Sequence, residues 1–166
     1  MKRAALLVSV ALASSCAYPG GYKGYQQRQY CTRGVVYSPM SIQEALHYKA
    51  VGVCSWYDES TWLGLKRGRT SLGEKVMPWH LIGAHKTLPL PCMVRVTNLE
   101  NGNTVKIRLN DRGPFITGRL LDVSPRAARK LGFRAKGLAT VRVEVLSVGD
   151  GPYKRKLDHG WFFGLF

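Results

Sequence analysis

A series of short segments in which apolar and polar residues alternate constrains the fold of this chain most strongly. In the clearest of them, Val105, Ile107 and Leu109 alternate with polar residues, which is the pattern of a half-buried β-strand. Short strands separated by turn residues favour a small closed barrel over a sandwich of two sheets. The sequence therefore predicts a mainly β domain, with strands over residues 51–56, 93–97, 104–109, 119–123 and 141–146.

One segment within this region carries helical signals instead. Ser124 is a favourable N-cap residue, Pro125 suits the first helical position, and Gly132 suits the end of a helix. The sequence predicts one short helix over about residues 125–131.

Residues 1–16 have the plan of a secretory signal peptide. Two basic residues precede an apolar stretch over residues 4–13, and small residues follow up to Cys16. Cys16 stands where a bacterial lipobox has its acylated cysteine, although Ala13 replaces the usual Leu. We expect an exported protein on the periplasmic face of the cell envelope, anchored by lipid on Cys16, with the outer membrane favoured over the inner. Cleavage near Ala13, which would release a soluble protein, is the alternative.

The rest of the chain divides by composition into three parts. Residues 17–48 are rich in Gly, Tyr and Gln and poor in branched apolar residues, which predicts a flexible tether. Within it, Ser41 and Glu44 have the spacing of a capping box, so a short helix or a packed turn is allowed there. The β domain is expected over residues 49–148, and residues 149–166 form a basic and aromatic tail.

The charge balance points to a polyanionic partner. The chain has 25 Lys and Arg against 10 Asp and Glu, a formal net charge of +15 at pH 7. Export removes nucleic acid as a partner, so wall carboxylates, lipopolysaccharide phosphates and anionic lipid headgroups remain. A solvated surface without a specific ligand is the alternative.

Besides Cys16, the chain has an odd number of cysteines for an oxidising compartment, namely Cys31, Cys54 and Cys92. Cys54 and Cys92 each lie in or next to a predicted strand, so we expect a disulfide between them, with Cys31 as the alternative partner. No CxxC or HxxxH spacing occurs, and the four His are scattered. Neither a metal ion nor a cofactor is expected.

Three polar residues in turn-rich segments are the candidate catalytic groups. Asp111 lies in the run NDRGPF between two predicted strands, Glu74 follows the run TSLG, and His85 lies in AHKTLP. Two carboxylates and an imidazole suit glycosidic bond cleavage, in which one group protonates the leaving oxygen and another stabilises positive charge. Each has a structural alternative: an Asx turn for Asp111, an exposed loop charge for Glu74, and a turn cap for His85.

Other residues near these segments are candidates for binding a sugar. The rings of Trp56 and Tyr57 could stack on it, although Trp56 could equally belong to the core. Thr70, Asn110 and Arg112 could donate hydrogen bonds to hydroxyl, acetamido or carboxylate groups.

Together these motifs resemble the rare lipoprotein A (RlpA) family. The resemblance implies a six-stranded double-psi β-barrel and lytic transglycosylase activity on peptidoglycan, with Asp111, Glu74 and His85 as catalytic residues. In two positions the chain departs from the family pattern, because Ser71 and Leu72 replace the usual Ala and Asn. The matching stretches are VGVCSWY, GRTSLGE, GAHKTLPLP, VRVTNLENG, VKIRLNDRGPF, GRLLDVSPRAARKLGF and VRVEVL, which cover most of residues 51–146.

The resemblance further implies endolytic cleavage of the β-1,4 bond between N-acetylmuramic acid and N-acetylglucosamine, with a 1,6-anhydro product and a preference for glycan without stem peptides. Asp111 is the acid in this hypothesis only if the barrel brings the Glu74 loop across to face it. Expected partners are glycan strands, the membrane through Cys16, and cell-division proteins. A non-catalytic peptidoglycan-binding or division-site lipoprotein and an expansin-like module that loosens polysaccharide are the alternatives.

We predict that Cys16→Ser releases the protein from membranes, because the substitution removes the only thiol at the lipobox position. Fractionation of cells into soluble and membrane parts, followed by immunoblotting, measures this. An unchanged membrane fraction would contradict lipidation at Cys16.

Overall fold

In the computed structural model, which describes residues 24–57, 68–77 and 79–157, the alternating segments become the strands of a closed barrel. Cys16 and most of the aromatic tail lie outside the described residues. Within the described ranges, no helix has the length and apolarity that a membrane span requires. The elements are β1 (Tyr30–Thr32), β2 (Val35–Tyr37), α1 (Ile42–Leu46), β3 (Lys49–Trp56), β4 (Ile82–Ala84), β5 (Cys92–Asn98), β6 (Thr104–Asp111), β7 (Arg119–Val123), α2 (Pro125–Leu131) and β8 (Leu138–Val148), followed by a 3₁₀ turn at Gly151–Tyr153.

Six of the strands close the barrel in the order β3-β7-β4-β6-β5-β8, and β8 pairs with β3. Two pairs are parallel, β3 with β7 and β4 with β6, and the other pairs are antiparallel. The predicted fold class, a mainly β six-stranded barrel, is confirmed. α2 has the predicted bounds, with Ser124 as its N-cap and Gly132 in the left-handed region at its end.

The alternation in sequence directs one face of each long strand into the barrel. Val94 and Val96 of β5, Ile107 of β6, and Val141 and Val143 of β8 have no exposed surface. Burying a side chain of this kind contributes about 1.5–3 kcal/mol. The apolar residues of the period-two pattern therefore both predict the strands and, once buried, stabilise the closed barrel.

β4 is the one barrel strand that the alternation does not reveal. It has only three residues, and Gly83 is at its centre. A Cβ on Gly83 would lie 2.6 Å from the carbonyl oxygen of Asp122 on β7. The close approach of β7 therefore requires glycine, and so short a segment carries no readable period.

The structure corrects the described part, residues 24–48, of the tether predicted over residues 17–48. Gln26 forms backbone hydrogen bonds with Leu90, and β1 and β2 form a hairpin. α1 begins with the capping box of Ser41 and Glu44. These residues pack on the barrel because their scattered aromatic and apolar side chains, among them Tyr25, Met40, Ile42 and Tyr48, contact the core.

The residues after β8 also return to the barrel. Arg155 forms two backbone hydrogen bonds with Val148, and Leu157 packs against the core. The first part of the predicted tail is thus an additional edge on β8.

The predicted disulfide between Cys54 and Cys92 is wrong, since both residues are free and buried, and Cys31 is free and exposed. The register explains why. Cys54 pairs with Ala139 at the start of β8, whereas Cys92 pairs with Val148 at its end. Nine residues of strand span roughly 30 Å, far beyond the reach of a disulfide.

We predict that a thiol reagent at about pH 8 labels Cys31 alone in the native Cys16→Ser variant, and labels three thiols after unfolding without reductant. Burial raises the pKa of Cys92 to about 12 and raises the pKa of Cys54 as well, so neither forms the reactive thiolate. Mass spectrometry of the labelled chain counts the modified residues. Adding Cys31→Ser is the control and should remove native labelling; a single reactive thiol after unfolding would instead indicate a Cys54–Cys92 disulfide.

Candidate active site

Asp111 is the last residue of β6, at a point where the strand pairing shifts. Gly83 of β4 pairs with Leu109, and the next residue, Ala84, pairs with Asp111. Asn110 is therefore an extra residue on β6. Such a bulge bends the strand and changes the direction of the following side chain.

The carboxylate of Asp111 is held through one oxygen. Oδ1 accepts hydrogen bonds from the backbone N–H of Ser71 at 2.8 Å, from the Ser71 hydroxyl, and from the backbone N–H of Arg112 at 2.8 Å. Oδ2 has no hydrogen-bond partner among the described residues. The barrel thus brings the loop of residues 68–77 across to Asp111, with the carboxylate oriented and one oxygen available.

Ser71 carries no signal in the sequence that marks it as a site residue. Alanine, the usual residue at this position in the resembling family, has no hydroxyl to bind Asp111. Ser71 also accepts a hydrogen bond from the backbone N–H of Arg112 at 3.0 Å. This departure from the family pattern therefore adds a contact to the candidate acid.

Glu74 is an ionised partner of Arg108. Its Oε2 lies 2.6 Å from Nη1 of Arg108, and its Oε1 lies 2.8 Å from Nη2. Asn110 Nδ2 also donates to Oε2 at 2.8 Å. Both charged side chains are about one-fifth exposed, so the pair is partly shielded from solvent. A carboxylate in a two-point pair with arginine stays ionised and suits electrostatic stabilisation better than proton donation.

Arg108 is a site residue that the sequence reasoning missed. Its guanidinium binds Glu74 on one side and Asp150 Oδ2 on the other, at 2.7 Å from Nη2. The sequence signal for Arg108 is its position two residues before Asn110 on one predicted strand, which places both side chains on the same face. The partners come from distant segments, so spacing alone did not reveal the cluster.

His85 is buried, and both of its ring nitrogens are occupied. Nδ1 accepts from the backbone N–H of Thr87 at 3.2 Å and of Leu88 at 3.0 Å, and Nε2 lies 3.1 Å from the hydroxyl of Tyr48. Burial, with the nearby Arg112 and Lys86, lowers the pKa of His85 to about 3. The ring is therefore neutral and caps the turn that follows β4, which is the structural alternative considered from the sequence.

Arg112 has its guanidinium directed at main-chain carbonyls. It donates to Leu88 O at 2.6 Å, to Lys86 O at 3.3 Å and to Gln26 O at 3.2 Å, and it lies 5.1 Å from the ring centroid of Tyr30. Burial lowers the pKa of Arg112. These contacts join the N-terminal segment to the His85 turn, so the structure gives Arg112 a structural role rather than the predicted sugar contact.

Two other predicted sugar-binding residues support the loop itself. Thr70 is buried and accepts a hydrogen bond from the backbone N–H of Glu74 at 3.2 Å. Asn110 is buried beside the Glu74 carboxylate, and its Oδ1 has no partner among the described residues. Both residues position Glu74.

The ring of Trp56 lies on another part of the barrel. Trp56 Nε1 donates to Arg134 O at 3.1 Å, and the Arg134 guanidinium lies 5.6 Å from the ring centroid. The ring lines a cavity of about 560 Å³ next to the end of α2. The Tyr57 backbone N–H donates to Val123 O at 3.1 Å. The contacts of Trp56 with Arg134 place its ring next to α2 rather than beside Ser71 and Asp111.

Asp122 of β7 is a further half-buried acid, and Arg119 is a charged neighbour. The hydroxyl of Ser55 donates to Asp122, and Arg119 Nη1 donates to the same hydroxyl at 3.1 Å. Burial raises the pKa of Asp122. Ala84 pairs with both Asp122 and Asp111, so the two acids lie two strands apart across the barrel wall.

A comparison with protein families decides the assignment, because residues 49–143 match the family described as lytic transglycolase. The chain belongs to this family. Proteins curated as endolytic peptidoglycan transglycosylase RlpA are similar to it: one from Pseudomonas aeruginosa is 45% identical over 69% of this chain and 32% of its own length. One from Neisseria meningitidis is 43% identical over 74% of this chain and 49% of its own length. One from Rickettsia typhi is 37% identical over 85% of this chain and 42% of its own length. The RlpA resemblance is confirmed, and the matched part of the chain spans 32% to 49% of these relatives' lengths.

Two solved structures are more distantly similar. The Streptomyces papain inhibitor has a TM-score of 0.47 at 18% identity, over 60% of this chain and 96% of its own. An expansin from Clavibacter michiganensis has a TM-score of 0.48 at 18% identity, over 63% of this chain and 54% of its own.

We predict that His85 makes the folded domain less stable as the pH falls from about 6.5 towards 3. The unfolded chain binds a proton near pH 6.5, whereas the folded ring does so only near 3, so folding loses up to about 1.4 kcal/mol per pH unit in this window. Urea unfolding at about pH 7.5 and 4.5 measures the loss.

In His85→Gln this loss should be smaller, although stability at pH 7.5 also falls. His47, which is exposed at the end of α1, provides the control, and His47→Gln should keep the wild-type pH dependence. Equal pH dependence in wild type and His85→Gln would mean that the buried ring is protonated in the folded state.

Proposed function

We propose that this protein is a lytic transglycosylase that cleaves the β-1,4 bond between N-acetylmuramic acid and N-acetylglucosamine inside peptidoglycan strands, with Asp111 as the proton donor and acceptor. The single observation that carries the proposal is the geometry of Asp111. Three donors fix its Oδ1, while Oδ2 has no partner among the described residues. An oriented acid with one accessible oxygen is what proton transfer to a glycosidic oxygen requires.

In the proposed reaction, Oδ2 of Asp111 gives its proton to the glycosidic oxygen as the bond to the muramic acid anomeric carbon breaks. The 6-hydroxyl of the same sugar then forms a bond to that carbon, and its proton passes to Asp111. The products are a free N-acetylglucosamine hydroxyl and a 1,6-anhydro muramic acid end. No water is consumed, and the acid returns to its protonated state.

Glu74 supports the positive charge that develops on the sugar in this mechanism. Its carboxylate is kept ionised by Arg108 and oriented by Asn110. Arg108 also reduces the negative potential, so the contribution of Glu74 is smaller than that of an unpaired carboxylate. His85 acts as a positioning residue, because its neutral ring holds the turn after β4 and its backbone N–H donates to Asp111 O at 3.1 Å.

The location proposed for this activity is the periplasmic face of the envelope, with lipid on Cys16 as the anchor and the outer membrane as the favoured site. The leader over residues 1–16 supports export. Glycan strands without stem peptides are the proposed substrate, and cell-division proteins are proposed partners.

One observation favours the non-catalytic alternative, a module that binds peptidoglycan without cleaving it. Glu74 is already neutralised by Arg108, which in turn is shared with Asp150. A site built only for binding would tolerate such a pair. The following experiment separates the two functions.

We predict that Asp111→Asn reduces the release of 1,6-anhydro products from stripped glycan by at least about 100-fold, the usual contribution of a general acid. The amide oxygen can still accept hydrogen bonds from Ser71 and Arg112, so the folded domain and its binding to peptidoglycan should persist. Mass spectrometry measures products, sedimentation with peptidoglycan measures binding, and urea unfolding measures stability.

Glu100→Gln is the matched control, since Glu100 forms an exposed ion pair with Lys136 far from this loop; cleavage should be unchanged. Wild-type protein that sediments with peptidoglycan but yields no anhydro products would establish the binding module instead. An unfolded Asp111→Asn variant would identify Asp111 as a structural turn residue.

A further inference from the structure

A groove with basic walls lies on the outer face of the barrel, along β5, β6 and β8. It encloses about 560 Å³. Its floor is apolar, with Leu81, Met93 and Leu146, and the segment after the 3₁₀ turn forms one wall. We call this feature the basic groove; its cationic residues are Arg95, Lys106, Arg108, Lys154 and Lys156.

Three of these cations have no acidic partner among the described residues. They are Lys106 of β6 and Lys154 and Lys156 of the C-terminal segment, and all three are exposed. Arg108 is paired with Glu74 and Asp150. The positive charge of the groove is therefore not balanced by the protein itself.

The strand register adds a second observation. Arg95 and Lys106 are direct partners across β5 and β6, and both are exposed on the same face. Like charges directly opposite each other in a sheet destabilise it. Glu144 relieves this only in part, because it lies 2.7 Å from Lys49 and 3.8 Å from Arg95. An anionic ligand between Arg95 and Lys106 would remove the repulsion.

The basic groove is continuous with the candidate active site through Arg108. This side chain lines the groove and binds the Glu74 carboxylate with its two terminal nitrogens. Lys106 is two residues before it on β6, on the same face. A chain-like ligand that leaves the Asp111 and Glu74 region along β6 would therefore enter the groove.

We propose that the basic groove binds a second stretch of the peptidoglycan glycan strand, whose lactyl carboxylates pair with Lys106, Lys154 and Lys156 while sugar faces lie on Met93 and Leu146. This rests on the proposed function for the identity of the polymer. An apolar floor between cationic walls matches a carboxylate-bearing polysaccharide, which has apolar ring faces and regularly spaced charges. A concave groove fits a strand better than the flat surface of a lipid bilayer.

Binding to stripped glycan strands tests the proposal, with full-length chains that carry Asp111→Asn so that no strand is cut. Lys106→Ala with Lys156→Ala should weaken binding about 5- to 10-fold at low salt, because two exposed ion pairs are lost, and the difference should disappear at high salt. The matched control is Arg126→Ala with Lys130→Ala, which removes the same charge from exposed positions of α2 and should bind like the parent.

A second ligand identifies the chemical group. Strands whose carboxylates have been reduced to alcohols should bind the parent and the groove variant equally. Equal binding of the groove variant and the parent to untreated strands would overturn the proposal. So would a groove effect seen only with phosphatidylglycerol vesicles, which would make the groove a membrane contact.

Cleavage is measured separately with Asp111 intact. If the wild type releases anhydro products but the groove variant binds strands as tightly as the parent, the groove proposal fails and the proposed reaction stands. If the wild type releases no anhydro products but strand binding still depends on the groove residues, the proposed reaction fails and the glycan site stands.

Discussion

β4 is the element on which both the barrel and the candidate site depend. It lies between β6 and β7 and joins the two parallel strand pairs into a closed wall. The strand fits only because Gly83 has no side chain, as any Cβ there would meet the backbone of Asp122. His85 follows directly, and its backbone N–H donates to the carbonyl of Asp111. The closure of the barrel therefore also fixes the end of β6.

Two arginines on either side of Asn110 and Asp111 give the acids of the site different electrostatic settings. Arg108 forms a two-point ion pair with Glu74. Arg112 is held by main-chain carbonyls, and no ion pair among the described residues includes Asp111. Asp111 is thus oriented by two amides and a hydroxyl, while Glu74 is held ionised. Acids whose environments differ in this way can take different roles in one reaction.

The parts of the fold that rest on local pattern were predictable from the sequence. The long strands follow the period-two alternation, and α2 follows from Ser124, Pro125 and Gly132, because caps and turn residues act within a few positions. The packing of residues 24–48 was missed, since it depends on single aromatic contacts such as Tyr48 with His85. The absence of the expected disulfide likewise depends on the register of β8, which pairs Cys54 and Cys92 with opposite ends of one strand.

For the site, the sequence by itself determined which residues are candidates, because Asp111, Glu74 and His85 stand in polar turns between apolar strands. Only the tertiary structure decided what each one contacts. It paired Glu74 with Arg108, capped a turn with the neutral ring of His85, and placed Ser71 on one oxygen of Asp111. The physical reason is range: strand periodicity and caps depend on neighbours in the chain, whereas a carboxylate's state depends on charges and donors that the barrel brings from 34 to 40 residues away.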